Sequence, residues 1–195
     1  MTISILTQIM LIPTLKPALK NLENINDSLL LLVFESMKVS IRLEELQANP
    51  IKIENSSTLL DIHKYLFQDI YSWAGKIRTV EISKGGKPFF PLSHFRNAFM
   101  SVDALIMKYR KIDRKDKVEL THKLAKILDN INYLHPFREG NVRTQREFLR
   151  LLAMEKDLSL NLNPPDNVNT YERYMSVTIN GNVEQLATLI LEIVI

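Results

Sequence analysis

The chain has 195 residues, a formal net charge of +3 and no cysteine. Its length and its 46% of hydrophobic residues predict one globular domain with a sizeable core. The lack of cysteine excludes a disulfide framework and a thiolate metal site, and the mild basic charge gives no reason to expect nucleic-acid binding.

Residues 1–27 are predicted to form an N-terminal arm. The apolar run Ile3–Ile12 is too short to span a membrane and is followed by Pro13 and Pro17. It also lacks the basic start and the small-residue cleavage site of a secretory signal. These features predict a cytoplasmic protein without a membrane anchor.

Two amphipathic helices are predicted next, over about 28–47 and 56–71. His63 lies on the second helix, and we interpret it as a packing or surface histidine because no partner is evident nearby. The apolar set of the first helix, which we expect to face the core, consists of Leu30, Val33, Phe34, Met37, Ile41 and Leu46.

A β-hairpin is predicted after these helices. Thr79–Ser83 alternates polar and apolar residues and leads into Lys84-Gly85-Gly86-Lys87, a glycine turn. Further helices are predicted over about 93–110 and 117–134, and two closing helices over 168–179 and 183–193.

The stretch His135–Arg146 follows the helix that ends near residue 134. Pro136 cannot continue that helix, and Asn141 is expected to cap the next one. Arg143 and Arg146 then lie on one side of the first two turns of the new helix. The free N–H groups of its N-terminus, together with the two guanidiniums, predict an anion site.

A polyphosphate fits this charge pattern. Glu139 could hold Mg²⁺ bridging the phosphates, because Mg²⁺ usually takes one or two carboxylates plus phosphate oxygens. His135 has a pKa range suited to accepting a proton from an attacking hydroxyl. The residues alone therefore suggest nucleotidyl or phosphoryl transfer, although a loop between two core helices also carries such side chains without any chemical role.

The same stretch resembles the signature of the Fic family, His-x-Phe-x-(Asp/Glu)-Gly-Asn-Gly-Arg-x-x-Arg, except that Val142 replaces the second glycine. The segment Leu66–Arg78 resembles another block of this family, so that the resemblance covers about residues 40–155. It implies a mainly α fold: residues 28–195 would form a single Fic-type helical bundle with a short β-hairpin flap next to the active-site loop.

The resemblance implies an activity as well, the Mg²⁺-dependent transfer of AMP from ATP to a Ser, Thr or Tyr hydroxyl of a target protein. His135 would be the general base, and Glu139 would bind Mg²⁺ between the α- and β-phosphates. Phe137 would point into the core and fix the loop.

The nucleotide-binding residues implied by the resemblance follow in the chain. Gly140 and Asn141 would form the anion hole, Arg143 would contact the β-phosphate and Arg146 the γ-phosphate. Val142 is expected to crowd the β- and γ-phosphates, which would weaken ATP binding or change the group that is transferred.

The predicted hairpin corresponds to the flap of the Fic family. A segment of the target protein would pair with the flap edge through main-chain hydrogen bonds. The expected docking residues are Val80, Glu81, Ile82, Ser83, Lys84, Gly85 and Gly86. The other interpretation of the hairpin is a surface decoration of a helical domain.

Many Fic proteins carry an inhibitory helix, Ser/Thr-x-x-x-Glu-(Gly/Asn), whose glutamate pairs with the second arginine of the signature. The nearest matches here, Ser40 to Glu44 and Thr188 to Glu192, lack the final residue, and we interpret both as chance. The chain then resembles the toxin subgroup, whose inhibitory helix belongs to a separate small antitoxin.

Other functions remain open from the sequence. Related proteins transfer phosphate, UMP or phosphocholine with similar loops, and a catalytically inactive scaffold would bind a nucleotide or a partner through the flap. Metal-dependent hydrolysis by His135 and Glu139 is the weaker alternative, because no third ligand has suitable spacing.

Overall fold

The computed structural model describes residues 17–164 and 167–195. These residues contain seven α-helices and one two-stranded hairpin, which confirms the predicted mainly α fold with a short hairpin. The helices are α1 Ser28–Ala48, α2 Thr58–Phe67, α3 Phe95–Lys111, α4 Lys117–Leu134, α5 Asn141–Met154, α6 Val168–Ile179 and α7 Val183–Ile193. The strands are β1 Ser83–Lys84 and β2 Lys87–Pro88.

The boundaries of four helices follow from their caps. The side chains of Asp27, Asp116, Asn167 and Asn182 each accept a hydrogen bond from a backbone N–H in the first turn of the helix that follows. Such a bond satisfies one of the N–H groups that a helix start leaves unpaired. α4, α6 and α7 accordingly span the ranges that the sequence predicted.

Helix α4 lies at the centre of the bundle, where it packs against α3, α5 and α7. Its apolar residues recur every three or four positions and are fully buried; they are Leu120, Leu124, Ile127, Leu128 and Ile131. Helix α2 packs against α1 and α5. The loop between α4 and α5, which carries the signature, is therefore fixed at both ends by core helices.

The predicted core face of α1 is wrong. Leu30, Met37 and Ile41 are 51–59% exposed, and Val33 and Phe34 are only partly buried. The buried face consists instead of Leu31, Glu35, Val39 and Leu46, of which only Leu46 was predicted. Apolar residues of α1 occur around most of its circumference, so the sequence pattern was compatible with two different buried faces. Packing against α2 buries the face that was not predicted.

Helix α2 is shorter than predicted, since it ends at Phe67 and is followed by a turn at residues 68–70. Before α1, the backbone N–H of Leu22 donates to the carbonyl of Ile70, and the side chains of Ala18 and Leu19 pack on the core. The division into an arm and a domain at residue 28 stays a prediction. The apolar run Ile3–Ile12 lies outside the described residues.

The hairpin is short and sharply turned. Ser83 pairs with Pro88 and Lys84 with Lys87 in antiparallel register. Gly85 and Gly86 have φ angles of 57° and 77°, the left-handed values that a tight two-residue hairpin turn requires. The predicted strand over 79–83 was too long, because only its last residue is in a strand. We call residues 79–90 the flap.

The described helices offer no membrane span, because none of them combines sufficient length with sufficient apolar character.

Candidate active site

The signature loop, residues 135–140, leaves the core through two residues with left-handed backbones. His135 ends α4 with a φ of 45°, and Gly140 precedes α5 with a φ of 80°. The prediction that Asn141 caps α5 is wrong, since Gly140 holds the cap position. The amide of Asn141 instead accepts from the Phe137 N–H at 2.9 Å and donates to the Phe137 carbonyl at 2.8 Å. Asn141 therefore closes the loop on itself.

Phe137 points into the core as expected and is 1% exposed. Its ring stacks on His63 with 3.8 Å between the ring centroids. His63 Nε2 lies 3.0 Å from the Glu139 carbonyl, and His63 Nδ1 accepts from the Gly75 N–H at 2.8 Å. The interpretation of His63 as a packing histidine is confirmed. Its ring also contacts the backbone of the signature loop at Glu139.

His135 has one engaged and one free ring nitrogen. Its Nδ1 lies 3.2 Å from the carbonyl of Asn132, and the ring stacks on Phe89 with a centroid distance of 3.9 Å. Because a carbonyl only accepts, Nδ1 carries the proton and Nε2 keeps its lone pair. Within residues 17–164 and 167–195, no group hydrogen-bonds to Nε2. Burial lowers the pKa of His135 to about 4, so the ring is neutral at neutral pH.

Arg78, which sequence reasoning missed, joins the flap to the signature loop. Its fully buried side chain donates to three carbonyls, of His135 at 3.0 Å, Val80 at 2.7 Å and Phe90 at 2.5 Å. It also pairs with Glu81 at 3.0 Å. The base of the flap is thereby fixed beside His135. No local pattern marks this arginine, because its partners lie up to 57 residues away in the chain.

The flap residues predicted to dock a target are exposed, apart from a half-buried Ile82. Glu81 makes a second contact besides its ion pair with Arg78, since its Oε1 accepts a hydrogen bond from the Leu92 N–H at 3.0 Å. Its side chain therefore supports the flap from within. The docking role of the exposed residues stays a prediction.

The start of α5 provides donors for an anion. Among the hydrogen bonds of the described residues, none uses the backbone N–H of Asn141, Val142 or Arg143. Gly140 allows close packing here, because a Cβ at this position would overlap the ring of Phe67. The loop thus brings three free N–H groups to one point, and the positive end of the helix dipole adds to them.

Arg143 forms an ion pair with Glu35, a residue of α1 that sequence reasoning also missed. Its guanidinium carbon lies 4.8 Å from the centroid of the Phe67 ring, and its Nη2 lies 3.5 Å from Glu139. Glu35 could have been suspected, because it stands at helical spacing between Leu31 and Val39 on the buried face. The wrong choice of face concealed it.

Arg146 has a different environment. Its guanidinium carbon lies 5.5 Å from the centroid of the Tyr171 ring, and no carboxylate of the described residues lies within 4.0 Å. Burial lowers the pKa of Arg146. Glu192, one of the two candidate inhibitory glutamates, pairs with Arg173 at 2.8 Å, and Glu44 is exposed. A half-buried cation that has no counter-ion among the described residues favours an anionic ligand.

Glu139 fits a metal that arrives with a nucleotide. Its side chain is 51% exposed, and one carboxylate oxygen accepts from the Gly140 N–H at 2.8 Å. The described residues contain no group of three or more His, Asp or Glu side chains that could bind a metal ion by themselves. One carboxylate plus phosphate oxygens suits Mg²⁺, whereas a hydrolytic metal site needs further ligands.

Val142, the departure from the signature, is half-buried and packs against the core. Part of its side chain therefore contacts protein. Whether its methyl groups also crowd a phosphate stays a prediction.

The sequence profile of the Fic/DOC family matches residues 53–153. Protein adenylyltransferase VbhT of Bartonella schoenbuchensis is 35% identical over 69% of this chain and 28% of its own length. Probable protein adenylyltransferase Fic of Escherichia coli is 32% identical over 62% and 60%. Probable protein adenylyltransferase y4lH of Sinorhizobium fredii is 33% identical over 69% and 70%. The matches thus span less than two thirds of the first two relatives, 28% and 60% of their lengths.

The fold resembles solved structures of Fic domains. The Fic domain of a Bartonella effector protein from Bartonella sp. AR 15-3 aligns with a TM-score of 0.80 and 22% identity, over 94% of this chain and 89% of that domain. BepC of Bartonella tribocorum, solved with bound AMPPNP, aligns with a TM-score of 0.77 and 18% identity, over 91% and 92%. At these identities the likeness concerns the fold.

Proposed function

The chain belongs to the Fic/DOC family, and from this premise we propose that it transfers AMP from ATP to a hydroxyl group of a target protein. Three relatives at 32–35% identity have names that describe protein adenylyltransferases. The AMPPNP in BepC and the ADP in a Bartonella quintana Fic domain support a nucleotide as the ligand.

His135 and Arg146 belong to the same signature, and among the described residues the Nε2 of His135 has no hydrogen-bond partner and Arg146 has no carboxylate partner. Nδ1 of His135 is fixed as a donor by the Asn132 carbonyl, so Nε2 is the acceptor. Arg146 and the free N–H groups at the start of α5 need an anion. A neutral base beside an anion site suits the attack of a hydroxyl on a phosphate ester.

In the proposed reaction, Nε2 takes the proton of the target hydroxyl. The hydroxyl oxygen forms a bond to the α-phosphorus, and the bond between that phosphorus and the oxygen bridging to the β-phosphate breaks. Pyrophosphate leaves, while Arg146 and the N–H groups of α5 stabilise its charge. Mg²⁺ held by Glu139 would neutralise charge on the phosphate oxygens. The products are a target protein with AMP on its hydroxyl oxygen and free pyrophosphate.

The flap would hold the target. Arg78 fixes the flap base, and the Phe89 ring stacks on His135. A target segment that adds to the exposed edge would therefore bring its hydroxyl toward Nε2. The partner of this chain is thus proposed to be a protein with an extended segment around the modified residue.

A small antitoxin is a second proposed partner. Within the described part of the chain, no carboxylate pairs with Arg146, so a glutamate from a separate chain could occupy that place. Co-purification of a small helical protein from the native source, and its loss with Arg146→Ala, would support this proposal. If the purified chain alone is fully active and the native complex contains no such protein, the proposal fails.

The proposed function is tested by comparing ATP labelled on the α-phosphate with ATP labelled on the γ-phosphate and measuring which label is transferred to protein. With cell lysate and Mg²⁺, the chain is expected to transfer label from the α-phosphate to a protein and none from the γ-phosphate. His135→Ala is expected to abolish the transfer. His122→Ala is the matched control, because His122 lies on α4, the helix that His135 caps, and pairs with Glu184 at 3.2 Å.

Each other result identifies a different function. Label from the γ-phosphate alone would indicate a kinase, and label from UTP would indicate transfer of UMP. If no nucleotide transfers label although the chain binds it, the inactive scaffold is correct.

A further inference from the structure

A buried carboxylate lies on the inner face of α1, where this helix meets the signature. Glu35 is 4% exposed and stands between the buried Leu31 and Val39. Taking a carboxylate out of water is costly unless polar or charged groups compensate it. The Tyr71 hydroxyl donates a hydrogen bond to Glu35, and the Arg143 guanidinium pairs with it. Burial, and next the charge of Glu35, raise the pKa of Tyr71, so the hydroxyl keeps its proton.

Arg143 meets two carboxylates through one nitrogen. Its Nη2 pairs with Glu35 and also lies 3.5 Å from Glu139 Oε1. The two carboxylates differ in freedom, because the side chain of Glu35 is 5% exposed and that of Glu139 is 51% exposed. Glu35 is held in mid-helix by its surroundings, whereas Glu139 lies on the loop. Glu35 is therefore the permanent partner and Glu139 the exchangeable one.

The other donors of Arg143 remain available. Its Nε and Nη1 form no hydrogen bond with any residue that the structure describes. The guanidinium lies over the Phe67 ring, and that ring also packs against Gly140 at the start of α5. The contact with Glu35 thus fixes the guanidinium beside the free N–H groups without exhausting its five donors.

We propose that Glu35 is a positioning residue, which holds Arg143 at the phosphate site and thereby keeps Glu139 free for the divalent cation that accompanies the nucleotide. This inference rests on the proposed function, since it assumes a nucleotide with a bound cation. Without the charge of Glu35, Arg143 turns to the other carboxylate within reach, Glu139, and the two neutralise each other. The geometry argues against a brake that sequesters Arg143, because a brake must release and Glu35 is buried.

Glu35→Gln tests this role, since it removes the charge and keeps the shape. Calorimetric titration of the full chain with ATP, with and without Mg²⁺, measures how much the cation strengthens binding. We expect Glu35→Gln to reduce this gain at least about tenfold, the size of one charge-assisted contact. A crystal structure of Glu35→Gln gives a readout without nucleotide: Arg143 Nη2 is expected to pair directly with Glu139, closer than the present 3.5 Å.

Glu45→Gln is the matched control. Glu45 lies on the same helix and accepts from an arginine and a tyrosine as well, Arg42 at 2.9 Å and Tyr65 at 2.9 Å. It has no contact with the signature among its described hydrogen bonds and ion pairs. The gain in affinity from Mg²⁺ is expected to be the same in Glu45→Gln and in the wild type.

The outcomes separate the alternatives. An unchanged gain from Mg²⁺ in Glu35→Gln overturns the proposal, and tighter ATP binding would identify Glu35 as a brake. If the wild type binds no ATP while Arg143 still turns to Glu139 in the variant, the positioning contact stands and the proposed function fails. Should Glu35→Gln not fold, Tyr71→Phe loosens the same carboxylate, and a smaller loss in the same direction is expected; no loss would again overturn the proposal.

Discussion

Two histidines of this protein make similar ring contacts but differ in burial and in free bonding capacity, since His63 is fully buried and His135 is half-buried. His63 and His135 each stack on a phenylalanine, at 3.8 and 3.9 Å between centroids, and burial lowers the pKa of each to about 4. Both rings are therefore neutral at neutral pH. His63 uses both nitrogens on backbone groups, whereas His135 uses only Nδ1.

Spare bonding capacity, more than the pKa, separates a candidate base from a structural histidine. The arginines of the signature repeat the pattern, since Arg143 is paired with Glu35 and Arg146 has no carboxylate partner among the described residues. The groups left unpaired are the ones that a substrate can use.

The test with the largest expected effect replaces each of the two histidines with alanine and compares activity and stability. His135→Ala is expected to lower the rate of transfer by about a thousandfold, the usual scale of general-base catalysis, and to cost at most about 1 kcal/mol of stability. His63→Ala should instead destabilise the fold by about 3–5 kcal/mol, because it leaves a cavity and two unpaired backbone groups. Denaturant unfolding and label transfer measure both quantities. A large stability loss in His135→Ala with little loss of rate would reverse the comparison.

The pH dependence of stability gives a second test. Because both folded pKa values of about 4 lie below the ordinary 6.5, the unfolded chain binds more protons between these pH values. The free energy of unfolding is therefore highest above pH 6.5 and falls as the pH drops toward 4. The expected loss by pH 5 is about 2 kcal/mol for each histidine. His135→Ala should show a shallower fall than the wild type.

The activity of the base follows the same pKa. Since His135 stays neutral down to about pH 4, transfer should persist between pH 7 and 5 wherever the chain remains folded. A rate that halves near pH 6.5, at constant fold, would show that the ring is more solvated than its contacts indicate.

Arg146→Ala tests the arginine that has no carboxylate partner among the described residues. If Arg146 binds the γ-phosphate, this substitution should weaken ATP binding by about 1.5–3 kcal/mol and ADP binding much less. Arg138→Ala, at an exposed arginine of the signature loop, is the matched control and should change neither. Calorimetry with both nucleotides measures the difference, and equal losses for ATP and ADP would contradict the assignment.

Local pattern was enough to predict the ends of three helices. The caps and the 3.6-residue period lie within a few neighbouring residues, so α4, α6 and α7 were predicted to the residue. The prediction of Phe137 as a core residue succeeded because the resemblance supplied it.

Partners distant in the chain could not be predicted. Arg78 is bonded to residue 135, and Glu35 to residues 71 and 143, contacts that exist only after the helices have packed. The prediction that Asn141 caps α5 was wrong for a similar reason. Asparagine is a common capping residue, but here its amide bonds to the backbone of Phe137, four residues earlier in the chain.

The smallest expected effect concerns Val142, where the signature departs from its family. Removing the side chain should raise transfer a few-fold at limiting ATP if its methyl groups displace a phosphate oxygen, because small misplacements at a reacting centre are costly in rate. The substitution also carries a cost, since Val142 packs against the core. Its half-burial implies a loss of about 1 kcal/mol for Val142→Ala, and glycine adds about 1 kcal/mol in a helix.

The pair of variants separates the two effects. Alanine already removes both methyl groups, so Val142→Ala should give most of the gain in rate with half of the stability loss, and Val142→Gly should add little beyond it. A higher transfer rate in Val142→Gly but not in Val142→Ala would mean that backbone freedom, and not crowding by the side chain, limits the rate. If neither variant gains, the valine is accommodated against the core, and the anion site at the start of α5 already fits the donor that this chain uses.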